Sequence, residues 1–166
     1  MRFLLTLVVA FLLTGCGKVS SPVADELDAF LAAGFDAVTV YAIDSSRAPR
    51  PDDRSDEAYW ESGSEVNATH FHAFPIRKQV EVTDAGMGKR LAEATARDMR
   101  SRATSYKCFE PHHGLRVRRG TAFFDLVICH TCGNLEAWSD IRRGTMHETS
   151  DGASGILEQA LKANQP

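Results

Sequence analysis

Residues 107–138 read KCFEPHHGLRVRRGTAFFDLVICHTCGNLEAW and contain three of the four cysteines and three of the six histidines of this 166-residue chain. Arg119-Gly120 is typical of a two-residue turn between strands. This turn predicts a β-hairpin made of residues 115–118 and 121–128. The hairpin is the element from which we predict the rest of the fold.

The register of this hairpin predicts a cluster of three thiols. If Arg118 pairs with Thr121, Cys108 lies opposite the residue between Cys129 and Cys132. Directly opposed Cβ atoms lie about 5 Å apart, and diagonal neighbours about 7 Å. We therefore expect the three cysteines together at the open end of the hairpin.

Two structural chemistries would use such a cluster. A disulfide from Cys108 to Cys129 or Cys132 would suit an oxidising compartment. It would close a loop of about twenty residues and stabilise the domain by roughly 3 kcal/mol. Alternatively, the C-x-x-C-G sequence has the form of a zinc knuckle, and His112 or His113 would complete a tetrahedral set with the three thiolates. We adopt the disulfide as the prediction, with zinc as the alternative cofactor.

Two catalytic chemistries are further alternatives. Thiol–disulfide exchange would use Cys129 as the attacking thiol, activated by His130, but only 34 residues follow Cys132, too few to complete a thioredoxin fold. A nucleophilic dyad of Cys108 and His113 lacks a recognisable oxyanion loop or orienting partner. Haem attachment is excluded because glycine, not histidine, follows the C-x-x-C motif. A thiol-dependent or metal-dependent enzyme therefore ranks below a non-enzymatic role.

The same stretch resembles a pattern of uncharacterised bacterial proteins, CF-x-P-R-H-G-[IL] followed by D-x-[VI]-I-C-[FY]-x-C. The resemblance spans roughly residues 70 to 138. The pattern has arginine where this chain has His112 and an aromatic residue where it has His130, which leaves His113 as the better candidate for a zinc ligand. The resemblance supplies no activity, but it implies one constellation of Cys108, His113, Asp125, Cys129 and Cys132.

Asp125 interrupts an otherwise apolar strand candidate. One interpretation is that it orients His113 across the hairpin. The other is that it lies on the solvent face and pairs with Arg116 or Arg118, because the faces of a strand alternate. We adopt the solvent-face interpretation.

The N-terminus has the pattern of a bacterial lipoprotein leader. Residues 3–13 form an apolar run that is too short for a membrane span of roughly twenty residues but typical of a signal-peptide core. Residues 13–16, LTGC, resemble the lipobox, which implies cleavage before Cys16 and its acylation with chains such as palmitate. The predicted organisation is a signal peptide at 1–15, a lipidated tether at 16–21 and a domain at 22–166.

The lipobox also predicts a location. Two or more acyl chains anchor a protein stably, whereas one chain holds it only marginally. Gly17 stands where the inner-membrane retention signal of enteric bacteria has Asp. We therefore expect attachment through Cys16 to the periplasmic side of the outer membrane, if the source is Gram-negative. An ordinary secretory signal is the alternative.

The net charge and the length of the mature chain limit its partners and its number of domains. Arg2 is the only charge in the leader, so the mature chain has 18 Lys and Arg against 22 Asp and Glu, a net charge of −4. This balance argues against nucleic acid as a partner. The 151 residues after the leader are enough for one domain. The sequence identifies no protein or small-molecule partner.

The remaining patterns predict a single α+β domain. An antiparallel sheet with helices on one face is expected from the order of elements. His70 and His72 lie on a predicted edge strand and lack the third ligand that zinc needs, so we predict polar surface there. Helices are predicted from Pro22 to Gly34, from Asp84 to about 102 and at 154–163, strands at 35–43 and 76–82 beside the hairpin, and polar connections at 44–67 and 139–152.

These features predict a lipid-anchored envelope protein with a disulfide-stapled hairpin. Its role is predicted to be that of a non-enzymatic binding or structural accessory.

Overall fold

A seven-stranded antiparallel sheet with three helices on one face forms the fold. The structure is a computed structural model that describes residues 20–45, 66–101 and 106–163. The predicted leader, Cys16 and most of the predicted loop at 44–67 lie outside these residues. The α+β class and the placement of the helices on one face are confirmed. The helices are α1 (Pro22–Ala32), α2 (Ala85–Asp98) and α3 (Ser154–Lys162); the strands are β1 (Ala37–Ile43), β2 (His70–Phe71), β3 (Phe74–Val82), β4 (His113–Arg119), β5 (Ala122–Cys129), β6 (Asn134–Ser139) and β7 (Arg142–Glu148).

The helices begin where side chains can bond their free amide groups. Ser21 accepts a hydrogen bond from Ala24 N at the start of α1, which has proline at its first position. Asp84 does the same for α2, as predicted. α3 has no cap from its own first residues, and instead Asp98 Oδ2, at the end of α2, accepts from Ala153 N at 2.5 Å. This hydrogen bond joins the C-terminus of α2 to the N-terminus of α3.

The strand order is β2-β3-β1-β4-β5-β6-β7, so β1 lies in the interior of the sheet between β3 and β4. The predicted central strand is confirmed. Its alternate side chains Val38 and Val40 face the main core beneath the helices, together with Leu91 of α2 and Leu157 of α3. This face of the sheet contains the larger apolar core.

The opposite face holds a second, smaller core. It consists of Tyr41, Ile43, Phe71, Phe74, Val127 and Trp138, all at most 5% exposed. The chain around β2 lies over this face, since Phe71 packs on the sheet two strands away from its own partner β3. β5 is therefore buried on both faces, which explains why its sequence is apolar on both faces apart from Asp125.

The β4–β5 hairpin forms, but its predicted register is wrong. Arg119 pairs with Ala122, which places the two-residue turn at Gly120-Thr121 instead of Arg119-Gly120. Gly120 has a φ of +56°, and its amide donates to Asp36 Oδ2 at 2.5 Å. A positive φ at the first turn residue favours glycine, so the turn is centred one residue later than predicted.

The prediction of a polar connection at residues 139–152 is also wrong. Arg142–Glu148 form β7, which pairs with β6 from Asn134 to Ser139. Its side chains are mostly polar because β7 is an edge strand, and charged residues are common on such edges. No helix among the described residues is long and apolar enough to cross a membrane.

Candidate functional site

A disulfide between Cys129 and Cys132 closes the turn from β5 to β6, with the two Cα atoms 5.3 Å apart. The hairpin region therefore does contain a disulfide. Its predicted pairing through Cys108 is wrong, because Cys108 is exposed and has a free thiol. The disulfide closes a four-residue turn and does not join the two ends of the β4–β5 hairpin.

The register of β5 and β6 explains this pairing. Cys129 pairs with Asn134, so the chain must reverse within the four residues between them. Gly133 permits the reversal with a φ of +65°, and Cys132 N donates to Cys129 Sγ at 3.2 Å. Both cysteines are at most 1% exposed. A sealed bond in a tight turn is typical of a structural disulfide.

The chain at Cys108 runs beside this turn. Tyr106 N donates to Cys132 O at 2.9 Å, and Asn134 Nδ2 donates to Tyr106 O at 2.7 Å and to Cys108 O at 3.2 Å. The backbone of the third cysteine is thus held against the stapled turn through Asn134. Its thiol faces solvent while the other two sulfurs are buried.

The four-ligand zinc set is not assembled. In residues 20–45, 66–101 and 106–163, no group of three or more His, Cys, Asp or Glu side chains is placed to hold a metal ion. Cys129 and Cys132 are bonded to each other, and His113 Nε2 lies 2.9 Å from Glu158 Oε1 of α3. Three of the four candidate ligands therefore have other partners, and the fourth, Cys108, has an exposed free thiol.

His113 and His130 form a pair beneath α3. Their ring centroids are 5.3 Å apart in an edge-to-face arrangement. Burial lowers the pKa of His113, Glu158 opposes the shift, and the neighbouring His112 adds to it. Burial also lowers the pKa of His130, and His113 adds to that effect. Both imidazoles are neutral at neutral pH for this reason.

Asp125 is completely buried and contacts two basic side chains. Its Oδ2 lies 3.1 Å from His72 Nε2, and its Oδ1 lies 3.1 Å from Arg116 Nε on the neighbouring strand. The predicted pairing with Arg116 is confirmed. The solvent-face position is wrong, because the chain around His72 covers this face of β5. The alternative interpretation, in which Asp125 orients His113, is also wrong, since His72 takes that place.

His72 reaches Asp125 because of its backbone. It lies in the two-residue turn between β2 and β3 and has a φ of +54°, which is uncommon for a residue other than glycine. Its ring stacks on Trp138 at 4.5 Å with an interplanar angle of 17°. The prediction of polar surface holds for exposed His70 and is wrong for His72, which is 2% exposed.

Phe71 fixes the other side of this cluster. Its ring stacks on Tyr41 at 4.3 Å and lies on the backbone of Gly114. A Cβ at Gly114 would come within 2.5 Å of two Phe71 ring carbons, so only glycine leaves room for the ring. The Phe71 ring, in the chain that covers this face, thus fits against the bare backbone of Gly114 in the sheet.

The electrostatics of the buried cluster follow from its desolvation. Burial raises the pKa of Asp125, and both His72 and Arg116 oppose this shift. Burial likewise raises the pKa of Tyr41, against the effect of Arg116. A buried carboxylate is tolerated where basic groups compensate its charge. With Asp125 and His72 at most 2% exposed, the arrangement serves to hold the covering chain in place.

Sequence reasoning missed His72 as a partner of Asp125, and Trp138 as the ring on which His72 stacks. The sequence did contain one signal for the basic partner. A carboxylate in a strand with apolar residues on both of its faces requires a buried basic group. The strand pattern of Phe123–Ile128 contained that signal, but it did not indicate which residue supplies the partner.

Comparison of the chain with protein-family models, with curated proteins and with solved structures gives no significant match.

Proposed function

We propose that this chain is a lipid-anchored protein of the bacterial cell envelope, held by acylated Cys16, and that its domain acts by binding or structural support. The observation that carries the proposal is the buried Cys129–Cys132 disulfide. Structural disulfides persist in oxidising compartments and are rare in the cytosol. The lipobox-like sequence LTGC at residues 13–16 is a signal for delivery to such a compartment.

A non-enzymatic role is supported by the state of the candidate groups. Cys129 has no free thiol to act as a nucleophile, and His113 is bonded to Glu158. Asp125 is sealed beneath His72. Among the described residues, the polar groups first considered for catalysis thus have structural partners or, like Cys108, stand alone on the surface.

The anchor also fits the start of the domain. Ser21 caps α1, and only Gly17 to Ser20 separate it from Cys16. A tether of this length would hold the domain close to the bilayer. We place the protein on the periplasmic side of the outer membrane in a Gram-negative host, on the basis of Gly17.

Labelling and fractionation test the anchor. Cells expressing the full chain are fed labelled palmitate, with and without globomycin, and are then separated into soluble and membrane fractions. The wild type should carry label and sediment with membranes, whereas Cys16→Ser should lose the label and remain as precursor. Cys108→Ser is the matched control and should behave as the wild type. A soluble, unlabelled wild type would refute the proposal.

Thiol counting tests the staple. The mature protein, purified without reductant and then denatured, should react with a thiol reagent at Cys108 and not at Cys129 or Cys132. Peptide mass mapping should find the last two residues joined. Free thiols at all three positions would contradict the disulfide. Bound zinc that is lost in Cys132→Ser would favour the alternative cofactor.

A further inference from the structure

Two hairpin turns lie side by side at one end of the sheet. The β4–β5 turn and the β6–β7 turn are neighbours because Phe124, near the start of β5, pairs with Ser139 at the end of β6. We call residues 118–121 and 140–143 the turn end. Ile141 is 86% exposed at its tip, an unusual position for a large apolar side chain.

A groove of about 360 Å³ continues the apolar surface from the turn end to α1. Arg119 and Glu26 lie at this groove, and the Arg119 guanidinium stands 4.8 Å above the centre of the Phe30 ring. The surface thus combines apolar side chains with a guanidinium group. Its apolar lining includes Ala29, Phe30, Ala122, Phe123, Phe124 and Ile141.

The charge of the turn end is opposite to that of the protein. The turn end carries Arg118, Arg119, Arg142 and Arg143. They are opposed by Asp140, by Asp36, which bonds the turn amide, and by Glu26, which bonds Arg142. The balance is about +1, whereas the mature chain carries −4. An anionic surface would therefore attract this end and repel most other parts of the molecule.

The turn end also lies near the proposed anchor. Glu26 accepts a hydrogen bond from Arg142 Nε at 3.0 Å. Glu26 lies five residues after Ser21 in α1, about 7.5 Å along the helix axis. The five-residue step from Cys16 to Ser21 spans at most roughly 17 Å when fully extended. The covalent path therefore keeps the Glu26 backbone within about 25 Å of Cys16, and the turn end lies one Arg142–Glu26 side-chain contact beyond it.

We propose that the turn end docks on an anionic phospholipid surface, with Ile141 entering the headgroup region and Arg118 and Arg143 beside lipid phosphates. This proposal rests on the lipid anchor, and it adds an orientation of the domain on the bilayer. The electrostatic attraction falls off within a Debye length of about 8 Å at physiological salt. The short tether lets the basic groups reach that range.

Hydrogen exchange of the lipidated full chain tests the docking. The protein is reconstituted in vesicles of phosphatidylcholine alone or with phosphatidylglycerol. Backbone amides of residues 118–121 and 140–143 should exchange several-fold more slowly when phosphatidylglycerol is present, and high salt should remove the difference. Amides of α2 should exchange alike in both vesicles.

Variants separate docking from anchoring. The double variant Arg118→Glu/Arg143→Glu and the single variant Ile141→Asp should lose the protection while remaining bound to vesicles through the lipid. The double variant Arg90→Glu/Arg97→Glu on α2 has the same change in net charge at exposed positions and should keep the protection. Circular dichroism checks that each variant is folded.

Three outcomes would overturn the docking. One is equal exchange in both kinds of vesicle, another is protection that survives the Arg118→Glu/Arg143→Glu change, and the third is protection that depends on protein concentration instead of phosphatidylglycerol, which would indicate a second copy. Absence of acylation would refute the proposed function instead. In that case, cosedimentation of the unlipidated full chain with phosphatidylglycerol vesicles still tests the turn end by itself.

Discussion

His72 Nε2 and Asp125 Oδ2 lie 3.1 Å apart, although the two residues are separated by 53 positions in the chain and both side chains are at most 1% exposed. This contact joins the turn that covers the sheet to the centre of the sheet itself. Stacking of His72 on Trp138 and the ion pair of Asp125 with Arg116 extend the connection on either side. The buried cluster should therefore determine how the covering chain is held.

Removing the charge of Asp125 should destabilise the domain strongly. Asp125→Asn leaves Arg116 and His72 without their shared carboxylate, and breaking a buried pair in this way costs about 3 kcal/mol or more in the free energy of unfolding. Urea unfolding followed by tryptophan fluorescence measures the change. Asp140→Asn, at an exposed turn, is the control and should stay within about 0.5 kcal/mol of the wild type. Equal effects of the two substitutions would contradict a structural role for the cluster.

A methyl group at Gly114 should displace the Phe71 ring. Because the new Cβ would meet two ring carbons at 2.5 Å, Gly114→Ala should lower the free energy of unfolding by about 1–3 kcal/mol. At Gly155, in the exposed part of α3, an added Cβ would meet no atom within 4 Å. Gly155→Ala should therefore raise the free energy of unfolding by roughly 0.5–1 kcal/mol. Thermal unfolding of both variants should give shifts of opposite sign. A stabilised Gly114→Ala variant would show that the ring can move at no cost.

The disulfide should contribute modestly because its loop is short. The double variant Cys129→Ser/Cys132→Ser loses a cross-link that closes four residues, which chain entropy places at about 2 kcal/mol. Cys108→Ser removes an exposed thiol and should change the free energy of unfolding by less than about 0.5 kcal/mol. Denaturant unfolding without reductant compares the variants. A larger loss in Cys108→Ser than in the double variant would mean that Cys108 takes part in the native cross-link.

Acidification should destabilise the fold through His113 and His130. Burial lowers the pKa of both imidazoles in the folded state, so below about pH 6.5 the unfolded chain binds more protons than the folded chain. The free energy of unfolding should therefore fall as the pH falls from about 6.5 toward the lowered folded values, and their contribution should be complete above that range. His112 adds to the effect on His113, and Glu158 opposes it.

Unfolding curves between about pH 5 and about pH 8 check this expectation. His130→Gln should flatten the dependence on pH, because it removes one of the imidazoles whose pKa is lowered by burial, which also include His113 and His147. His70→Gln, at an exposed position, should leave the slope unchanged. A slope that is the same in all three proteins would assign the effect to other groups.

The elements that sequence predicted well are those with local signals. The capping residues Ser21 and Asp84 mark the starts of α1 and α2, and the β-branched sequence of β1 identifies a buried strand. The predicted position of the β4–β5 turn is wrong by one residue. Pairing of Arg118 with Thr121 and pairing of Arg119 with Ala122 both leave Gly120 in the turn, so the sequence does not distinguish them. The positive φ of Gly120 decides between them, and it is a property of the folded backbone.

The candidate site was less predictable because its contacts are long-range. Cys108 and Asp125 were recognised as unusual, but their partners depend on which segments cover the second face of the sheet. His72 looked like the exposed end of a strand, and only its left-handed conformation turns it towards Asp125. Neither alternation nor spacing contains that information.

The position of β1 in the sheet has a consequence for folding as the chain emerges. Both strands that pair with β1 follow it in the chain, and Ala37 must wait for Arg118 of β4 before its last neighbour is present. Until β3 is present, AVTVYAI has two unpaired edges, and until β4 is present it keeps one, and apolar β-branched segments with unpaired edges are prone to aggregate. In contrast, β4 to β7 are joined by tight turns and can pair as each strand emerges. If the chain folds from its N-terminus, β1 therefore keeps an exposed edge until the meander behind it begins to form.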